Sequence, residues 1–200
     1  MMGKTHFAMG LATSLAVIQP KTYKECIVAV IGGAVGGVLA DCDILDDDKK
    51  SETIVGHLFA GGIAAVAFLI DYFCNFGLVR AISENKGSAA IGALLFGILY
   101  VIGVFSAHRS FTHSVTALVL FGIAAYLINA QIALSFAVAY ASHLILDLLN
   151  KKNIPIFYPL KSGFCLNLFY ADRTANKVFL YGGLSLSLLM LAFFIVNCSM

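Results

Sequence analysis

Charge is what this 200-residue chain has least of: 12% of its residues are Asp, Glu, Lys or Arg, against 60% hydrophobic ones, with a mean hydropathy of +0.90. Soluble domains carry about twice that share of charge. The deficit excludes an ordinary soluble domain and makes the chain integral to a membrane. The formal net charge of +2 is too small to point to nucleic acid as a partner. Cysteine is sparse and unpatterned: Cys26, Cys42, Cys74, Cys165 and Cys198 are odd in number and lack a CxxC spacing. That excludes a disulfide framework and leaves most of them as small apolar residues. Only Cys42, between two aspartates, has a setting in which a metal could engage it. No G-x-S-x-G elbow occurs, so the usual signature of serine hydrolases is absent.

The length suits one helix bundle without a separate soluble domain, so residues 1–200 are expected to form a single integral-membrane unit. The opening "MMGKTHFAMGLATSLAVIQP" has Lys4 and an apolar stretch of signal-peptide length. It lacks a small-x-small cleavage site and is expected to stay on the protein.

Long apolar runs are what the chain does have. Residues 54–73, 88–106, 114–128, 131–149 and 178–197 each approach the roughly 20 helical residues that cross a hydrocarbon core. The 114–128 run is the shortest, and the brief "NAQ" after it implies an antiparallel hairpin. Runs 7–18 and 26–40 look short, and predict a thin helical hairpin or a re-entrant pair. The expected fold is therefore an all-α polytopic bundle: five long membrane helices plus an N-terminal pair of short ones. Within "IGGAVGGVLA" the pairs Gly32/Gly36 and Gly33/Gly37 place small residues four apart, a spacing that lets helix backbones pack closely in lipid.

Counting crossings puts the N-terminus and residues 41–53, 107–113 and 150–177 on one side. That side holds Lys4, Lys49, Lys50, Arg109, Lys151, Lys152, Lys161, Arg173 and Lys177, nine of the 13 basic residues. Lys21, Lys24, Arg80 and Lys86 are left for the other. The asymmetry predicts that the first side is cytoplasmic.

All five histidines fall near that side. His6 opens the first run, His57 lies early in the third, His108 and His113 flank the seam "AHRSFTHS", and His143 is within two turns of the end of the sixth. Asp41, Asp43 and Asp147 accompany them. In "SHLILDLLN", His143 and Asp147 are four apart and share a helix face. Mixed imidazole and carboxylate donors suit a divalent transition ion, with zinc the common choice and manganese or iron as alternatives. Ionisable groups at membrane-helix ends are costly and point to function. Asp46, Asp47 and Asp48 read as a solvated loop, Asp71 as an interfacial cap, and Thr112 as a helix N-cap.

"THFAMG", the Asp-x-Asp of "ADCDIL", "AHRSFTHS" and "SHLILDLLNKKNIPIFYPL" together resemble the YdjM-type family of membrane-bound, metal-dependent hydrolases, over residues 5 to about 160. The family is described as inner-membrane, with one member regulated by LexA. The resemblance marks His6, Asp41, Asp43, His108, Arg109, Thr112, His113, His143 and Asp147. Where the family often continues Asp-x-Asp with His-Pro, this chain has Ile44 and Leu45, and His57 matches no family motif.

These readings combine into one expectation: a hydrolase holding one or two divalent ions at the cytoplasmic membrane surface. His6, Asp41, Asp43, His108, His113, His143 and Asp147 form the ligand pool. Seven exceed the needs of one zinc site, so two ions bind or some members orient ligands or act as bases, Asp43 among them. Arg109 could clamp an anion bidentately or serve only as a topological anchor. Location at the headgroup level points to a lipid or other phosphoester. The lipid bilayer is the partner implied, and the oligomeric state is left open. Competing expectations are a divalent-cation or proton transporter, and a protein with a purely structural metal.

Overall fold

A computed structural model describes residues 2–43, 50–160, 162–170 and 174–198. Helices account for most of them: α1 (Gly3–Ile18), α2 (Tyr23–Leu39), α3 (Lys50–Cys74), α4 (Leu78–Glu84), α5 (Lys86–Val104), α6 (Val115–Ile128), α7 (Ala130–Leu148) and α8 (Thr174–Asn197). Two 3₁₀ turns, Ala40–Asp43 and Phe111–His113, follow α2 and precede α6. Among the described residues β pairing is limited to isolated bridges, Asn150 with Phe169 and Ile154 with Phe164. The expected all-α bundle is what forms.

Local chemistry sets the helix limits. Thr22 and Glu25 form a capping box at the start of α2, each side chain accepting from the other's backbone N–H. Ser114 accepts from Ala117 N to open α6, and Asn129 accepts from Gln131 N and Ile132 N to open α7. Asp71 is a cap, as expected: its carboxylate accepts from Leu78 N at 3.0 Å and Val79 N at 2.8 Å, closing the start of α4.

Among the described residues five helices are long and apolar enough to cross a membrane, but their membership differs from the expectation. Tyr23–Asp43 qualifies with 21 residues, because the capping box starts α2 before the apolar run and the 3₁₀ turn prolongs it. The 114–128 run does not qualify. It forms α6, 14 residues or about 21 Å at 1.5 Å per residue. The remaining four are α3, α5, α7 and α8.

α2 is the centre of the bundle, packed between α1 and α7, and its glycines explain how. Gly36 faces α7, where an ideal Cβ would sit 2.5 Å from the Phe136 carbonyl oxygen. Gly37 faces α1, where a Cβ would sit 2.7 Å from the His6 carbonyl oxygen. Any side chain at either position would drive two helices apart. Since lipid removes the hydrophobic drive between helices, such close backbone contact is a principal source of their association. Phe96, Phe121, Phe136 and Tyr140 interlock α5, α6 and α7 on the far side. The outer helices α3 and α8 present Leu58, Phe73, Leu188 and Phe193 outward, as lipid-facing walls do.

The tight packing of α1, α2 and α7 aligns three helix ends. The start of α1, the end of α2 and the end of α7 meet at one pole, together with the Phe111–His113 turn. Asn176 of α8 fastens this pole by accepting from Thr5 Oγ1 at 2.8 Å and Met2 N at 3.3 Å. Beyond α7, Leu166 N donates to Leu148 O and Val115 N to Ile156 O, folding residues 150–160 and 162–170 across the same pole. The polar run Asp46 to Asp48 lies outside the described residues.

Candidate metal centre

Five buried side chains converge at this pole: His6 from α1, Asp41 from the turn after α2, His113 from the turn before α6, and His143 and Asp147 from the last turns of α7. The four-residue spacing puts His143 and Asp147 on one face, Nε2 to Oδ2 3.8 Å apart. His113 Nε2 lies 3.3 Å from Asp147 Oδ2 and 3.5 Å from Asp41 Oδ1. His143 Nε2 lies 3.6 Å from the same Asp41 oxygen, and His6 Nε2 lies 3.4 Å from Asp147 Oδ1. The His6 and His143 rings stack with centroids 3.7 Å apart.

These separations are longer than charge-assisted hydrogen bonds, which close to about 2.7–2.9 Å. They match donors that share an ion: tetrahedral bonds of about 2.0–2.1 Å place ligand atoms about 3.3–3.4 Å apart. Both nitrogens of His6, and Nε2 of His113 and of His143, are buried without a hydrogen-bond partner among the described residues. Buried polar atoms are rarely left so. The charge count points the same way. With the histidines neutral, as ligands must be, Asp41, Asp43 and Asp147 bring three negative charges against the guanidinium of Arg109 among the described residues. One divalent cation would balance the remainder. The donor set thus fits a divalent ion, and among the described residues His6–Asp41–His143 and His113–His143–Asp147 are triads able to hold one.

The surrounding contacts fix the rings. His143 Nδ1 lies 2.8 Å from the carbonyl oxygen of Gly37, which can only accept. Its proton therefore sits on Nδ1, and Nε2 carries the free lone pair. Such bonds to the far nitrogen are how metal-binding histidines are oriented. Asp43 stands behind His113. Its carboxylate accepts from Arg109 N at 2.7 Å and Thr112 Oγ1 at 2.9 Å, faces His108 Nδ1 at 3.0 Å, and lies 3.4 Å from His113 Nδ1. Its oxygens are occupied by these partners, so Asp43 acts here as an orienter of the seam, with His108 beside it and 40% exposed. Burial pulls the His113 imidazole down, but contacts with Asp147, Asp41 and Asp43 outweigh it and hold its pKa well above the ordinary value.

Arg109 adopts a left-handed backbone, φ 60°, uncommon outside glycine, asparagine and aspartate. The turn lets its N–H reach Asp43 while the side chain extends toward Asp147, Nη2 to Oδ2 3.9 Å. Nε and Nη1 are buried without a partner among the described residues. Thr112 is not the helix N-cap that its position implied. The 3₁₀ turn moves the start of α6 to Val115, Ser114 caps it, and the Thr112 hydroxyl is free to bind Asp43. Cys42 is turned toward α5, where a Cβ on Gly103 would lie 2.9 Å from its sulfur. It and half-buried His57 belong to neither triad.

Two contributors carry no signal as chemistry in the sequence. Gly37 reads only as a packing residue, yet its carbonyl orients His143. Tyr140 donates its hydroxyl to the Thr112 carbonyl, pinning the turn that carries His113, from a position that looks like ordinary core.

An all-α, multi-pass membrane bundle with a buried His/Asp cluster at one pole is the class that fold and site define. The model of the YdjM inner membrane protein family matches residues 1–199, and the chain belongs to that family. The match runs through α8, beyond the stretch of residues 5 to about 160 on which the sequence resemblance rests. No curated protein and no solved structure matches the chain.

Proposed function

We propose that this inner-membrane protein is a metal-dependent hydrolase of phosphoesters, working at the cytoplasmic face of the membrane. The observation that carries the reading is the set of five buried donors spaced 3.3–3.8 Å apart, with an arginine beside it whose Nε and Nη1 are unpaired among the described residues. His6, Asp41, His113, His143 and Asp147 would hold one or two ions, zinc, manganese or iron. A divalent ion there supplies Lewis acidity and lowers the pKa of water enough for hydrolysis near neutral pH.

The chain's own groups divide the remaining work. Arg109 binds and orients the anion through its guanidinium, whose Nε and Nη1 are unpaired among the described residues. Asp43 fixes His113 and holds the proton on His108 Nδ1, leaving the His108 ring able to pass a proton at its other nitrogen. His108 is exposed enough to meet a substrate from the headgroup layer. The nine-to-four division of basic residues in the sequence supports the cytoplasmic placement.

A transporter would need ionisable groups along the crossing. Among the described residues the buried acids and histidines gather at one pole, and Asp71 at the other is consumed as a cap.

Elemental analysis of detergent-purified protein, paired with hydrolysis assays on a panel of phosphomonoesters, phosphodiesters and lipid phosphates, tests the reading. Stoichiometric metal together with metal-dependent turnover of at least one member supports it. Metal without turnover across the panel favours a structural ion. Absence of metal after reconstitution with zinc, manganese and iron removes the proposal.

A further inference from the structure

α3 and α8 leave a gap over α1, forming a groove of about 450 Å³. Phe7, Val55, Phe59, Leu180 and Leu184 make its walls, and among the described residues Lys4 is the only charged one lining it. A methylene group needs roughly the 30 Å³ that a water molecule takes in the liquid. The groove therefore has room for on the order of fifteen such groups, about one hydrocarbon chain.

Two features separate it from the other apolar surfaces of α3 and α8. Lys4 gives it one cationic end, suited to a phosphate. Gly3, also in its lining, adjoins the buried cluster: an ideal Cβ on Gly3 would lie 4.0 Å from Asp41 Oδ2. The polar end of the groove thus opens beside a carboxylate that faces His113 and His143, while the rest is hydrocarbon-like.

We infer that this groove holds one hydrocarbon chain of a membrane lipid with an anionic phosphate headgroup, the Lys4 ammonium pairing with the phosphate next to the His/Asp cluster. The inference names the substrate class for the proposed hydrolase. It rests on that reading only for the hydrolysis of the headgroup, not for the binding of the lipid.

Zinc-loaded full-length protein in phosphatidylcholine nanodiscs is probed with spin-labelled phosphatidic acid and spin-labelled phosphatidylcholine carrying identical chains. The motionally restricted fraction should favour phosphatidic acid by about fivefold, the effect expected of one lysine at an anionic surface. Gly56→Leu fills the groove from α3 at a position where a Cβ has nothing within 4 Å, and should abolish the preference. Gly62→Leu is equally unobstructed on the same helix but outside the groove, and should leave it intact. Lys4→Gln should bring phosphatidic acid down to the phosphatidylcholine level. A wild-type protein that does not discriminate, or a Gly56→Leu variant that still does, overturns the inference. Metal content and turnover are read separately in the same preparations. Lipid preference without turnover therefore counts against the hydrolase and for the groove, and turnover without preference does the reverse.

Discussion

His143 and Gly37 are joined across α7 and α2 by a 2.8 Å bond from imidazole Nδ1 to a backbone carbonyl. The bond fixes the tautomer of the ring and aims Nε2 at Asp41 and Asp147. Bare backbone on both faces of α2 allows it: Gly36 lets α7 approach and Gly37 lets α1 approach, and together they bring His6 and His143 into a stack.

Replacing Gly37 by alanine should therefore damage the centre without touching a donor. The new methyl would meet the His6 carbonyl oxygen at 2.7 Å, and overpacking of this kind costs about 1–3 kcal/mol. Thermal unfolding in detergent should shift down, and bound metal should fall with it. Unchanged melting together with full metal content would refute this account of how the site is built.

Removing donors should be harsher and graded. His113→Ala and His143→Ala should each lose most of the metal measured by elemental analysis, and retention in both would sink the shared site. His108→Ala, which removes a partner of the orienting Asp43, should cost about 10–100-fold in metal affinity or activity. His57→Ala should have the smallest effect of the four.

Metal uptake should depend on pH through His113. Its folded pKa lies well above the ordinary value, so the metal-free protein carries this proton at neutral pH. The stability it confers is complete below about pH 6.5, the ordinary imidazole value, and is lost as pH rises through the folded value. An arriving ion must displace the proton. Calorimetry in buffers of different ionisation enthalpy should detect proton release on binding. Affinity should rise by about tenfold per pH unit for each proton displaced. Affinity that is flat from pH 6 to pH 8 would remove His113 from the donor set.

Arg109→Lys keeps a positive charge at the pole but loses the planar, two-pronged contact. Insertion and metal content should be preserved, while hydrolysis falls by about an order of magnitude or more, since one charged hydrogen bond contributes about 1.5–3 kcal/mol. Equal turnover at matched metal occupancy would reduce Arg109 to a topological anchor.

Orientation can be read by cysteine labelling in a variant stripped of native cysteines. Exposed position 152, at the cluster's pole, should react only from the cytoplasm, and exposed position 85 only from the opposite face. The reverse pattern would move the site outside the cytoplasm.

By itself the sequence determined the membrane setting, the helical class and the pool of polar residues. Low charge and long apolar runs leave helices as the way for such a chain to satisfy its backbone in lipid, and the one-sided histidines, with Asp41, Asp43 and Asp147, stand out against that background. Even the two faces of α2 were legible, as glycines four apart. Tertiary structure alone decided which polar residues meet. Asp41 and Asp43 are two apart in sequence, yet the tight 3₁₀ turn sends one toward His143 and the other behind His113. Thr112 lost its capping role to Ser114 because that seam coils into a second such turn, a choice set by contacts with Asp43 and Tyr140 that no local pattern encodes. α2 reaches beyond its apolar run for a related reason. Apolar runs mark where lipid can be, whereas helices end where caps and neighbouring chains satisfy their backbone groups.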